Sequence, residues 1–144
     1  AVSLKNLLVS GDKAYCKYFT FTKPSGYEMT VVGSSITLVK GKETIDIIYD
    51  TEKSVEEKRS DLSEVIASIK AQGYEPEVED ETKTLCGQEA KVTEIKISSN
   101  DYEALIVSVL FEKDGVTYAC NYHASKVGAS TGEFESIVNS ISFR

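Results

Sequence analysis

The sequence predicts an α+β fold in which a mainly antiparallel sheet carries two helices. Short segments rich in β-branched and aromatic residues recur along the chain, separated by turns that contain Gly, Asp or Pro. Two other segments place apolar residues at helical spacing behind a Ser-x-x-Glu sequence. Residues 104–111 are apolar on both alternating faces, which is typical of a strand covered on both sides. We therefore expect helices on both faces of the sheet.

The length and composition are those of one globular domain. The chain has 144 residues, of which 41% are hydrophobic and 27% are charged, so a core of ordinary size can form without a disulfide or a metal. No internal repeat, low-complexity tract or linker divides the sequence. We predict a single domain over residues 1–144, with residues 1–13 as a loosely ordered N-terminal segment.

The first half of the chain predicts a meander of hairpins. Residues 15–22 form an extended segment with Tyr15, Phe19 and Phe21 on one side, and a Pro-Ser-Gly turn closes it at residues 24–26. Three further strands are expected at residues 29–32, 35–39 and 44–49.

A helix is predicted over residues 54–72. Ser54 and Glu57 form a capping box, in which each side chain satisfies a backbone N–H that the helix leaves unpaired. Gly73 supplies the left-handed residue that ends the helix. The face expected to be buried consists of Leu62, Val65, Ile66 and Ile69.

The second half returns to strands and closes with a helix. The strands are expected at residues 77–85, 88–98, 103–113 and 116–124, with an Asp-Gly turn joining the last two. A second capping box, Ser130 to Glu133, opens a helix over residues 131–140. The core residues expected of this helix are Phe134, Ile137 and Val138. Most of residues 105–111, in the strand at 103–113, are also expected to be buried.

The charge balance disfavours two classes of partner. The chain has 16 basic and 23 acidic side chains and a net charge of −7, so it would be repelled by nucleic acid and by anionic membranes. The longest apolar run, residues 104–111, is far shorter than the ~20 residues of a membrane helix. We expect no nucleic-acid binding and no transmembrane segment.

One motif suggests catalysis but has a simpler explanation. Residues 128–132 match the G-x-S-x-G nucleophile elbow, yet that fold places its histidine after the serine, and the single histidine, His123, precedes Ser130. We interpret Ser130 as a helix N-cap. Nucleotide-binding loops and metal-binding motifs are also absent from the sequence. We predict no catalytic residues, no metal ligands and no cofactor.

Two further groups of residues allow alternatives. Glu75, Glu77, Glu79, Asp80 and Glu81 could attract a hard cation such as calcium, but we interpret them as charges that protect a sheet edge. The three cysteines are Cys16, Cys86 and Cys120. We expect all three to be small buried hydrophobic residues, with a Cys86–Cys120 disulfide as the alternative.

Several features recur in a characteristic order over residues 15–144. They are Phe19-Thr20-Phe21 before the turn at Pro24-Ser25-Gly26, Gly87 before a long strand, and Ser140-Ile141-Ser142-Phe143 at the end. In this order the chain resembles the PsbP-like (Mog-like) superfamily, in particular its DcrB-like bacterial lipoproteins, although Tyr27 stands where many members carry Trp. The resemblance implies a three-layer α/β/α sandwich around a mainly antiparallel sheet and implies no enzymatic activity.

We therefore expect a non-catalytic binding or scaffold domain with a protein partner. The chain begins at Ala1 without an initiator Met, as either a processed or a trimmed chain does, and together with the resemblance this favours an extracytoplasmic domain of a secreted protein or lipoprotein. The alternative is a cytosolic effector chaperone or immunity-type adaptor. The sequence leaves the oligomeric state open.

We interpret most of the eight tyrosines as residues that close the edges of the core. The alternative is that some of them bind a partner, because an exposed aromatic ring with a polar tip gives much contact area at little entropic cost. The candidate binding residues are Tyr27, Tyr49, Tyr118, Tyr122 and His123. We place the groove where Tyr27 and Tyr49 meet the final hairpin, with residues 75–81 as an acidic rim.

Overall fold

The computed structural model describes residues 2–4 and 7–144, with side chains from residue 9 onward. Its strands and helices are β1 (Val2–Leu4), β2 (Leu7–Ser10), β3 (Lys13–Cys16), β4 (Phe19–Thr22), β5 (Glu28–Val32), β6 (Ser35–Lys40), β7 (Glu43–Asp50), α1 (Val55–Ala71), β8 (Glu77–Leu85), β9 (Gln88–Ser98), β10 (Glu103–Lys113), β11 (Val116–Ala124), α2 (Gly132–Asn139) and β12 (Ser142–Phe143). The predicted mixed α+β fold with antiparallel sheet is confirmed.

The strands form two sheets. The large sheet has seven strands in the order β5-β6-β7-β11-β10-β9-β8, and the small sheet has five in the order β1-β2-β3-β4-β12. Each strand pair in the described part of the chain is antiparallel. The four strands expected in the second half coincide with β8 to β11. The turn that joins β10 to β11 holds Asp114 and Gly115 at φ values of 52° and 79°, the left-handed geometry of an Asp-Gly hairpin.

The small sheet differs from the expected meander, because the predicted strand at residues 15–22 is two strands. Cys16 and Phe19 are both buried. In an unbroken strand, side chains three positions apart point to opposite faces of the sheet. The chain therefore bends at residues 17–18 and pairs β3 with β4. Tyr15 consequently faces away from the core, with 37% of its surface exposed.

The expected loosely ordered segment, residues 1–13, contributes to this small sheet. Residues 2–4 and 7–10 lie in β1 and β2, and β2 pairs with β3. Residues 1, 5 and 6 lie outside the described part of the chain.

The main core lies between the two sheets and is rich in aromatic rings. Phe19 of the small sheet meets Tyr118 of the large sheet edge-on, with ring centroids 5.4 Å apart. Phe111 stacks on the same Tyr118 ring at 5.0 Å. Helix α2 closes this core with the three residues expected of it, Phe134, Ile137 and Val138. Most of residues 105–111 are buried, as predicted.

Helix α1 begins and ends as the sequence predicts but is less buried than expected. The Ser54 hydroxyl accepts from the Glu57 N–H at 3.2 Å, the Glu57 carboxylate accepts from the Ser54 N–H at 3.3 Å, and Gly73 follows with φ 96°. The helix packs against a separate cluster of Ile95, Ile97 and Ala104.

The predicted burial of Val65 is wrong, because 47% of its surface is exposed. Leu62, Ile66 and Ile69 make the contact and remain half-buried. Val65 lies about 60° around the helix from Leu62, at the margin of that narrow stripe. No residue of α1 is fully buried.

The second capping box is absent from the structure. The N-cap of α2 is Thr131, one residue later than expected, and its side chain makes no capping hydrogen bond. Ser130 accepts only from the Gly132 N–H, at 3.3 Å. Glu133 therefore occupies the second helical position and directs its carboxylate to other elements.

In the described residues, no helix has the length and the apolar character needed to cross a bilayer.

Candidate binding site

The four tyrosines predicted to bind a partner belong to the main core. Tyr27, Tyr49, Tyr118 and Tyr122 are between 1% and 8% exposed, so they close the core, as interpreted for most tyrosines, and do not form an open aromatic surface. His123 is exposed, and because it follows the inward-facing Tyr122 on β11, it faces the opposite side of the large sheet. The structure thus separates His123 from the tyrosines with which it was grouped.

The hydroxyls of Tyr27 and Tyr122 reach polar partners at the margin of the core. Tyr27 donates to the Oε1 atom of Glu133, which also pairs with the Lys40 ammonium at 3.2 Å. Tyr122 donates to Glu43 at 2.7 Å. Burial and then the bond to Glu133 raise the pKa of Tyr27, and the pKa of Tyr122 rises for the same reasons with Glu43 as partner. Both phenols are neutral and hold α2 and the β6–β7 hairpin to the core.

Tyr49 and Tyr118 lie opposite each other on β7 and β11. The Phe19 ring contacts both edge-on, at 5.8 Å and 5.4 Å. Burial raises the pKa of Tyr118 to about 12 and also raises that of Tyr49. Their arrangement is that of packed core residues.

The acidic stretch lies at a distance from these tyrosines. Strand β8 is the last strand of the large sheet, four places from β7, or ~19 Å at the usual strand spacing. The predicted acidic rim beside Tyr49 is therefore wrong. The edge interpretation is confirmed, because Glu77, Glu79, Asp80 and Glu81 are exposed on this terminal strand. Within the described residues, no group of three or more side chains is arranged to hold a metal.

The three cysteines are free thiols. Cys16 and Cys120 are buried, as expected, whereas Cys86 is half-buried and adopts a φ of 46° in the β8–β9 turn. Burial raises the pKa of Cys16 to about 12 and that of Cys86 to about 11. These thiols are therefore weak nucleophiles at neutral pH.

An open cleft lies where turns of the two sheets meet, and we name it the turn cleft. Its volume is about 450 Å³. It is formed by the β3–β4 turn, the β5–β6 turn and the end of β7. The residues that line it are Lys17, Tyr18, Gly33, Ser34, Tyr49, Asp50, Thr51 and Glu52.

Aromatic contacts and backbone hydrogen bonds hold the walls of the turn cleft. The Tyr18 and Tyr49 rings meet edge-on at 5.7 Å, and the Lys17 ammonium lies 5.2 Å from the centre of the Tyr18 ring. The Tyr49 N–H donates to the Ser34 carbonyl at 3.1 Å, and the Arg144 N–H donates to the Tyr18 carbonyl at 2.9 Å. Each wall is thereby fixed to a neighbouring element.

The charged side chains of the turn cleft differ in how accessible they are to a ligand. Asp50 accepts from the N–H groups of Glu52 and Lys53 at 2.7 and 3.1 Å, and the Lys58 ammonium lies 3.3 Å from its other oxygen. These backbone bonds, followed by Lys58, hold the pKa of Asp50 below its ordinary value. The side chains of Lys17 and Glu52 are exposed. The cleft therefore offers one cation, one anion and the Tyr18 ring to a ligand.

Of the predicted site residues, only Tyr49 reaches the turn cleft. The other lining residues come from three turns or strand ends, and no single segment marks them in the sequence. The one available signal was the spacing of Cys16 and Phe19. Two apolar residues three positions apart do not face the same side of one strand, which places a bend at Lys17 and Tyr18.

The comparisons with known proteins bear on the fold of this α+β domain. No protein-family profile matches the sequence, and no curated protein matches it. A crystal structure from Bacteroides thetaiotaomicron VPI-5482 is similar, with a TM-score of 0.60 and 13% identity over 88% of this chain. This chain spans 45% of that protein's length. A protein of unknown function from Pseudomonas aeruginosa, PA94, has a TM-score of 0.39 and 6% identity over 70% of this chain and 84% of its own.

Proposed function

We propose that this chain is a non-catalytic binding domain that engages a protein partner at the turn cleft. The observation that carries the proposal is the position of the cleft, which is built from turns on two packed sheets. Turns held on a rigid scaffold are the usual location of binding residues. A volume of about 450 Å³ also lies within the range of ~300–1,000 Å³ typical of ligand sites.

The chemistry of the turn cleft fits a short protein loop. Tyr18 supplies a half-buried ring, and Lys17 and Glu52 supply exposed charges of opposite sign. A tyrosine gives a partner much contact area at little entropic cost, and flanking charges of both signs select its orientation.

We further propose that the domain is a three-layer α/β/α sandwich of the PsbP-like kind. Support comes from the placement of α1 on one face of the large sheet and of α2 on the other. The small sheet shares the layer of α2. The resemblance also supports an extracytoplasmic location, in a secreted protein or lipoprotein.

The alternative is a cytosolic chaperone or immunity-type adaptor, in which the net charge of −7 steers the domain onto a basic partner. The complete gene and cell fractionation distinguish the two locations. A signal sequence and recovery in the envelope or medium support the first proposal, and recovery in the cytosol supports the adaptor.

Photocrosslinking in the source organism tests the turn cleft. A photoreactive amino acid replaces Ser34 in the cleft or, as the control, Tyr102, which is exposed elsewhere. We expect a discrete crosslinked protein, other than a second copy of this chain, from position 34 only. Equal capture at both positions, or at neither, would contradict the proposed site.

A pair of variants then tests the cleft side chains. The double variant Lys17→Ala, Tyr18→Ala should lose the crosslink from position 34. Tyr15→Ala should keep it, because Tyr15 lies on the same hairpin but outside the cleft. Retention of the crosslink by the folded double variant would exclude these residues from partner binding.

A further inference from the structure

The two edges of the large sheet differ in how they are protected. Strand β8 exposes Glu77, Glu79, Asp80 and Glu81, and charges of this kind prevent another strand from pairing with an edge. Strand β5, at the opposite edge, is Glu-Met-Thr-Val-Val and contains one charge, Glu28, and neither Lys nor Pro. An edge without these features is a template for strand addition.

The β5 edge is also regular and accessible. It pairs with β6 without a bulge from Glu28↔Val39 to Val32↔Ser35, and among the described strands β6 is its sole hydrogen-bonded neighbour. Val32 has 73% of its surface exposed, more than any other large hydrophobic residue among those described. The edge thus presents free backbone groups together with an uncovered apolar side chain.

We propose that two copies of this chain pair through their β5 strands, antiparallel and about a twofold axis at Thr30. In this register Glu28 lies opposite the partner's Val32, and Met29 lies opposite the partner's Val31. The two Glu28 carboxylates lie at opposite ends of the pair and do not face each other. The single charge of the edge is therefore compatible with self-pairing.

The same register suits the backbone and the faces of the sheet. Every second residue of an edge strand directs its N–H and C=O groups outward. Paired residues in this register differ by an even number, so outward-directed groups meet outward-directed groups. It also keeps Met29 and Val31, which contact the main core, on the core side of both copies.

A second copy fits this edge better than an open chain of copies. Pairing of β5 with β8 would continue without end, as heterologous contacts do, and the carboxylates of β8 oppose it. Pairing of β5 with β5 closes after two copies and leaves a protected β8 edge at each end. This dimer is independent of the proposed function, because it uses no side chain of the turn cleft.

Analytical ultracentrifugation of the wild-type chain over a range of concentrations provides the first test. We expect a monomer–dimer equilibrium between 15.8 kDa and twice that mass. Added salt should strengthen the dimer, because it screens the repulsion between two chains that each carry a net charge of −7. A wild-type chain that stays monomeric throughout would overturn the proposal.

Charge variants at the twofold axis test the register. Thr30 is exposed and, in the proposed dimer, lies opposite the same residue of the second copy. Thr30→Glu and Thr30→Lys should therefore each raise the dimer Kd at least about tenfold, because each brings two like charges together. An equimolar mixture of the two variants should restore a heterodimer. Thr84→Lys, at an exposed position on β8, is the matched control and should not change the Kd.

The variants also separate the proposal from a general loss of folding. Circular dichroism should show the wild-type spectrum for each, and restoration in the mixture requires two folded chains. Dimers that persist in Thr30→Glu, or a mixture that stays monomeric, would overturn the β5 pairing, as would an equal loss in Thr84→Lys.

Discussion

The Tyr27 hydroxyl donates to the Glu133 carboxylate and so joins the loop before β5 to the first turn of α2. Lys40, at the end of β6, pairs with the same oxygen at 3.2 Å and lies 5.1 Å from the centre of the Tyr27 ring. Three segments that are remote in sequence thus meet at one carboxylate. The N-terminal end of a helix also favours an anion electrostatically.

Glu133→Gln should destabilise the fold in a pH-dependent manner. The bond from Tyr27, followed by Lys40, lowers the pKa of Glu133 below its ordinary value of 4.5. The stabilisation is therefore present above pH 4.5 and is lost as the pH falls through the lowered pKa. Because Glu133 is half exposed, we expect a loss of only about 1 kcal/mol at neutral pH.

Urea unfolding at neutral pH and at a pH below the carboxyl pKa measures this effect. The difference between wild type and Glu133→Gln should shrink on acidification. The matched control is Glu135→Gln, which changes a residue of the same helix and removes its surface ion pair with Lys83 of β8. This variant should cost less. A loss that is equal at both pH values would show that the Glu133 charge is not responsible.

Truncation of Phe134 should destabilise the domain strongly. Its ring is 1% exposed and stacks on Tyr122 at 5.6 Å, so Phe134→Ala leaves a cavity and should cost about 3–5 kcal/mol. Val65→Ala is the control, because exposed Val65 should contribute within about 0.5 kcal/mol. Denaturant unfolding of both variants gives the comparison, and similar losses would contradict the assigned packing.

The sequence predicted long strands well and short ones poorly, for a physical reason. Strands β8 to β11 have nine or eleven residues each, enough for alternation and turn residues to define both ends. The strands of the small sheet have two to four residues, too few for a period to emerge. Their pairing depends on tertiary contacts, such as Phe19 against Tyr118, that no local pattern contains.

The candidate site was harder to predict than the fold. A tyrosine in a sequence allows two interpretations, because its amphipathic ring serves either at an interface or at the margin of a core, where its hydroxyl reaches a partner. Tyr27 and Tyr122 do this through Glu133 and Glu43. The turn cleft depends on the way the two sheets stack, which the strand order alone does not define.

Ser54 and Ser130 should differ in their contribution to stability, although both begin a Ser-x-x-Glu sequence. Ser54 completes a reciprocal capping box, so Ser54→Ala should cost about 1 kcal/mol. Ser130 precedes the true N-cap and forms one 3.3 Å bond with Gly132, so Ser130→Ala should cost clearly less. Thermal unfolding of the two variants decides the matter, and a larger effect at Ser130 would contradict the assigned helix start.

The three thiols should react with a disulfide reagent in the order Cys86, Cys16, Cys120. The thiolate is the reactive form, and burial raises the pKa of Cys86 to about 11 and that of Cys16 to about 12, whereas Cys120 is raised further. Cys86 is also the half-buried one of the three. At mildly alkaline pH the native protein should label slowly, Cys86→Ser should lose the fastest phase, and denaturation without reductant should release three thiols. Recovery of a single thiol would instead show a disulfide, and an unchanged fast phase in Cys86→Ser would contradict the order.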